Sequence, residues 1–284
     1  MTIRRAAVAG TWYPGTAEAL ARAVDGLLGQ ADGRLDGRVT ALVAPHAGLR
    51  YSGGVAAYAY RLLEGRPFDV AVLVGPSHLV GFEGVAIHPE GGFETPLGVA
   101  RVDAVLASAL VAASPLLRRH DAAHAREHSI EMQLPFLMRV APDLPIVPLV
   151  MGHQTDGTAR GLAAALASVL DGRRALLVAS SDLSHYHPAD EAAVLDRVVI
   201  DAVEAFDADA LQAALDCWPE HACGGGPMVA VMRAARALGA SDARVLRHAD
   251  SGDVSGDKTA VVGYLAAAFG EFAPPAEDVS GAVA

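Results

Sequence analysis

The chain has 284 residues, room for one large domain or two small ones, and 52% are hydrophobic against 19% charged, a balance that supplies a buried core and excludes disorder as a description of the whole. A formal net charge of -11 argues against nucleic-acid binding through a basic surface, and two cysteines, Cys217 and Cys223, exclude a disulfide scaffold and fit a reducing compartment. Mean hydropathy is +0.30, yet no run reaches the ~18 uncharged apolar residues of a membrane span, and residues 1–10 lack an apolar leader. A cytoplasmic protein with no membrane association is expected.

Taken in chain order, a predicted strand at Ala41–Ala44 runs into Pro45-His46-Ala47-Gly48, and Gly53–Leu63 reads as a helix. Asp69–Val74 is a second apolar strand, ending at Gly75-Pro76-Ser77-His78, with a short strand at Val85–His88. Val102–Ala113 is a predicted helix with Asp103 in its first turn, where an acid favours the dipole. Ser129–Val140 is a helix interrupted by Pro135, Pro145–Met151 a strand and Asp156–Leu170 a helix. Arg174–Ala179 is a strand that ends in Ser-Ser-Asp-Leu-Ser-His, residues 180–185. Helices at Ala189–Phe206 and Gly226–Leu238 and strands at Arg244–His248 and Thr259–Ala266 close the set. Strands that are apolar throughout are buried on both faces. Their alternation with helices predicts an α/β fold: a single domain, residues 1–270, with a central mixed, largely parallel sheet flanked by helices. Residues 271–284, with Pro274-Pro275 and small side chains, read as a disordered tail.

Ligands of open α/β sheets bind beyond the carboxyl ends of strands. Polar turns there offer His46, then His78, then Asp182 and His185, while Cys223 precedes a predicted helix, a place that favours the thiolate. A single such histidine is most often a capping residue; several at equivalent strand ends point to a transition-metal site, for which His and Cys are suitable donors. His124-Ala125-Arg126-Glu127-His128 matches the H-x-x-E-H pattern of inverted zinc peptidases. Ser129 reads as a helix cap after it, which puts His124 in a loop and keeps His124 and Glu127 out of a metal sphere. His128 and Glu131 are three apart and can share a helix face; either His128 faces substrate or Glu131 pairs with a neighbouring loop. Trp12-Tyr13-Pro14 reads as a turn packed on the core, and the aspartates 250, 253 and 257 as turn formers.

Read together, Gly10-Thr11-Trp12-Tyr13-Pro14, Pro45-His46-Ala47-Gly48, Gly75-Pro76-Ser77-His78, Glu127-His128-Ser129-Ile130-Glu131-Met132-Gln133-Leu134-Pro135, Ser180-Ser181-Asp182-Leu183-Ser184-His185 and Cys223-Gly224 resemble, in this order, the Memo family, protein B of the AmmeMemoRadiSam systems. The resemblance implies a fold like that of the class III extradiol dioxygenases, non-haem iron enzymes. It implies His46, His78 and Cys223 as metal ligands, with Cys223 where those enzymes carry a carboxylate. It also implies His185 as the acid/base, with Asp182 beside it; apart from the resemblance, Asp182, three residues earlier, is spaced to orient that ring, and His128 and Glu131 are candidates for a substrate pocket. The metal would be iron or copper, with zinc as a further candidate, because a thiolate softens the site. The expected function is redox or oxygen-linked chemistry on a small molecule or on a protein substrate, with partner proteins of the AmmeMemoRadiSam system. The alternatives are a non-catalytic peptide- or metal-binding module with a vestigial pocket, or a zinc hydrolase.

Overall fold

Residues 3–273 are described by the structure, a computed structural model. In chain order the first half runs β1 (Ile3–Arg4), α1 (Ala17–Gln30), β2 (Gly37–Ala44), α2 (Leu49–Arg61), β3 (Val70–Pro76), β4 (Val85–Ile87), β5 (Gly92–Thr95), β6 (Gly98–Arg101), α3 (Ala104–Ala113), β7 (Leu117–Arg119) and α4 (Asp121–Ala125). A 3₁₀ turn at Glu131–Gln133 leads into α5 (Leu134–Val140) and β8 (Ile146–Met151). Then follow α6 (Asp156–Leu170), β9 (Ala175–Ser180), β10 (Asp182–His187), α7 (Ala189–Glu204), α8 (Ala208–Cys217), α9 (Gly225–Ala237), β11 (Asp242–Asp250), α10 (Gly252–Ser255) and β12 (Val261–Phe272).

The main sheet has the order β10-β12-β2-β9-β3-β8-β4-β7, with β11 also paired to β12. Its centre is parallel: β2 with β9, β9 with β3, β3 with β8. Antiparallel pairing enters through β12 on one flank and between β4 and β8 on the other, so the sheet is mixed, as expected. Strands β3, β8 and β9 are buried along their whole length. Alternate residues feed two cores. Val43, Val72 and Leu177 pack with α3 and α6–α9, while Leu42, Leu73 and Val178 pack with α1, α2 and α5. This is the period-two alternation of a sheet covered on both faces.

Local signals explain the helices. In α6, Thr155 caps the Thr158 amide and Asp156 sits in the first turn. Asp103, expected inside α3, is instead its N-cap and accepts from Leu106 N. Helix α1 was not foreseen; it carries Thr16 as cap and buries Leu20, Val24 and Leu28 at four-residue spacing. The segment 182–187 was expected as a turn and is an edge strand, β10, paired to β12 with irregular register. Glu271 and Phe272, placed in the tail, are the last residues of β12; the tail from 274 onward lies outside the described residues. None of the described helices is long and apolar enough to cross a membrane.

Candidate metal centre

Strands β2, β9 and β3 lie side by side and parallel, so their carboxyl ends form one edge. His46 follows β2 and His78 follows β3. Ser180 ends β9 between them, in register with Ala44. The 127–130 loop lies over the end of β3 and brings in His128. A Cβ on Gly75 would meet Ser129 Oγ at 2.5 Å, so glycine is what admits that loop. Among the described residues, His46, His78 and His128 form a set whose donor atoms all lie within 4.8 Å of one another. The His46 ring is edge-on to the other two, and His78 and His128 stack with centroids 4.4 Å apart. Cys223 approaches from the side, Sγ 3.2 Å from His46 Nε2. It can do so because a Cβ on the next residue, Gly224, would stand 2.4 Å from the Ser180 carbonyl oxygen.

Hydrogen bonds orient the rings. Glu127 is buried; it accepts from the His78 amide at 2.7 Å and the His78 ring Nδ1 at 2.9 Å, and from the amides of His128 and Ser129, both at 2.9 Å. Burial alone would raise its pKa, but the bonds from His78 and Ser129 bring it down to about 2. It is therefore an ionised acceptor to which His78 Nδ1 donates, the arrangement that fixes a ligating imidazole from behind. Burial, then the neighbouring ring His78, lowers His46 well below its usual value and His128 to about 4, so both are neutral imidazoles. Trp12 tilts over His128 at 4.3 Å beside a cleft of about 470 Å³ lined by Tyr13, Leu49 and Arg50.

A family model described as Memo-like protein matches residues 4–268. The chain belongs to the Memo family. MEMO1 family proteins of Methanothermobacter thermautotrophicus and Methanopyrus kandleri are 38% and 39% identical, covering 92% and 94% of this chain and 98% of each relative. A solved structure of an uncharacterized protein, JW3007 from Escherichia coli K12, matches with a TM-score of 0.55 at 18% identity over 80% of this chain and 99% of that one, a likeness of fold alone.

Within this Memo-family site several expectations are revised. Asp182 does not orient His185: its Oδ1 accepts from the amides of His46 at 2.7 Å and Ala47 at 3.3 Å, pinning the His46 loop, while burial raises its carboxyl to about 7. His185 Nδ1 instead bonds the Leu183 carbonyl at 2.8 Å, and burial, only partly offset by that bond, lowers the ring's pKa. Burial, with the Asp182 charge, raises the Cys223 thiol, so the thiolate is not favoured in the free protein. Glu131 does not share a face with His128. It is buried in an ion pair with Arg4 and accepts from Tyr13 Oη at 2.6 Å and the amides of Ala7 and Val8. Of the Trp12-Tyr13 turn, Tyr13 packs on the core as expected, but Trp12 borders the site.

Ser129 caps no helix; its hydroxyl donates to the Pro76 carbonyl. His124 sits in α4 rather than a loop and is buried against His88 and Phe93, outside the histidine set. Glu127 holds His78 from behind without joining the donor set. Asp250 and Asp253 close their own turn onto Lys258. The third member of the donor set is His128, expected at a substrate pocket, and not Cys223, expected as a ligand, because the 127–130 loop folds over the end of β3; sequence reasoning also missed Glu127 as orienter of His78 and Ser180 beneath His46. The Glu-His pair next to a strand-end histidine was the available signal for Glu127.

Proposed function

We propose that this chain is a transition-metal-dependent oxidoreductase whose metal is held by His46, His78 and His128, with Cys223 as a further donor. What carries the reading is the convergence of those imidazoles within 4.8 Å, with His78 oriented by a buried carboxylate. Imidazole and thiol donors fit iron, copper or zinc. The nearby carboxylate of Glu127 is spent on His78 and three amides, which departs from a two-His, one-carboxylate set. Iron or copper bound there would supply electron exchange with dioxygen or substrate, and zinc only Lewis acidity. His185 is the proton-transfer residue: with Nδ1 donating to Leu183 O, Nε2 is an open base, and the lowered pKa keeps it unprotonated at neutral pH. Trp12 and the adjoining cleft shield and shape the approach. The substrate is a small molecule, or a group on a partner protein of an AmmeMemoRadiSam-type system, and the compartment is the cytoplasm.

Anaerobic purification without added metal, followed by metal analysis and aerobic turnover of Fe(II)-loaded protein with candidate phenols, tests the reading. Stoichiometric iron or copper that is lost in His46→Ala and reduced in Cys223→Ser supports it. Wild-type protein that retains no metal, or binds it equally well in His46→Ala, overturns it. Tight metal binding with no turnover of any substrate moves the reading to a binding module.

A further inference from the structure

His46 is the donor with no carboxylate behind it, and its protonation is decided by a chain of buried groups. Tyr60 Oη donates to Gln133 Oε1 at 2.8 Å, which orients the amide. Gln133 Nε2 then donates to the Pro45 carbonyl at 3.1 Å and to Ser180 Oγ at 2.7 Å. Ser180 gives its own proton to the Ser129 carbonyl at 2.7 Å. A hydroxyl has one proton and two lone pairs. With the proton committed to a pure acceptor and one lone pair to a pure donor, what remains toward His46 is a lone pair, 2.9 Å from Nδ1. This arrangement favours the ring proton on His46 Nδ1 and leaves Nε2 bare, 3.2 Å from Cys223 Sγ; the competing arrangement, with Ser180 donating to Nδ1, would take that proton from the Ser129 carbonyl. Tyr60, Gln133 and Ser180 are fully buried, so bulk solvent does not reach the chain.

We infer that Ser180, held by Gln133 and Tyr60, is a positioning residue that locks His46 as its Nδ1–H tautomer and so presents Nε2 before any ligand arrives. The inference deepens the metal reading above and rests on it for its purpose. Ser180 ends the strand that lies between β2 and β3, so the core of the sheet itself sets the donor atom. A neutral hydroxyl behind His46 and a carboxylate behind His78 make the two rings unequal donors, the carboxylate pushing more electron density toward its ring.

The test is long-range proton–nitrogen correlation NMR on metal-free protein labelled with ¹⁵N-histidine. Wild type should show a neutral His46 protonated on Nδ1. Ser180→Ala should move the proton to Nε2 or to a mixture, and Ser180→Thr, which keeps the hydroxyl, should restore it. In parallel, titration with Co(II) alone, followed by visible absorbance, should show affinity about 10–100-fold weaker in Ser180→Ala, as for other residues behind metal ligands, and recovered in Ser180→Thr. A wild-type ring protonated on Nε2, or a tautomer unchanged in Ser180→Ala, overturns the inference; the wild-type spectrum decides even where the alanine variant does not fold. A wild type that shows the Nδ1–H ring but binds no Co(II) overturns the metal reading alone.

Discussion

Cys223 Sγ lies 3.2 Å from His46 Nε2 and 3.7 Å from the Asp182 carbonyl oxygen, to which the thiol donates. Burial and the Asp182 charge hold that thiol protonated, and the thiolate is the reactive form. In metal-free protein at neutral pH, iodoacetamide should therefore modify the exposed Cys217 at least about tenfold faster than Cys223. Peptide mapping of a time course would show it; Cys223 adducts appearing first would contradict the buried, protonated thiol.

Glu127→Gln should weaken metal binding by about 10–100-fold. It should also destabilise the fold by about 1–3 kcal/mol, because an amide cannot satisfy the four donors that converge on the carboxylate. Co(II) titration and urea unfolding of the same variant separate the two effects. Unchanged affinity would remove Glu127 from the site.

His185→Ala should leave metal content intact and lower any turnover by about 10²–10⁴, since its ring bonds Leu183 O and lies outside the convergent set. Asp182→Asn should affect metal content more than His185→Ala does, because Asp182 fastens the His46 amide. Metal analysis of the pair distinguishes proton transfer from ligand support; an empty site in His185→Ala would make it a ligand.

Arg4→Met should cost about 3–5 kcal/mol, leaving Glu131 charged and buried without its ion partner. The N-terminal segment would loosen first, since Glu131 also holds the Ala7 and Val8 amides. Hydrogen exchange at those amides is the direct measure, and native-like protection in the variant would refute the clamp.

Acid should destabilise the metal-free protein well above the carboxylate range. His124 and His128, held near about 3 and about 4, stay neutral in the folded chain while the unfolded chain takes up their protons from about pH 6.5 downward. Stability from these groups is thus complete above about pH 6.5 and is lost as pH falls toward those values. Asp182, raised to about 7, has the opposite sign: the folded chain holds its proton between the usual carboxylate range and about 7, so its contribution falls as pH rises through that window. The histidines outnumber it, so the melting temperature should drop between pH 7 and pH 5. His124→Phe should flatten the slope by up to about 1.4 kcal/mol per pH unit. A melting temperature that is flat or rises on acidification would refute this ordering.

His46 and His78 were legible because each ends an apolar run, and parallel strands place such ends on one edge. The α6 boundaries were legible for a local reason, a Thr cap before an apolar helix. Other features depend on contacts far apart in sequence. Glu127 reads as a peptidase-motif acid until the chain brings it against His78, and Ser180 reads as a strand end until β9 is known to lie between β2 and β3. His185 reads as a turn residue because its strand is short, irregular and paired only with β12, and Tyr186 beside it takes a φ of +63° that no pattern announces.

The residues that meet at the centre leave the chain at positions 46, 78, 128, 180 and 223, and no two neighbouring elements alone assemble them. The centre therefore has a high contact order, and it completes only once the long-range strand pairing is in place. A ligand that binds there stabilises the finished topology and nothing before it. Recovery of metal affinity during refolding would consequently report the last closure of the sheet, later than the appearance of helical signal from α1, α6 or α7.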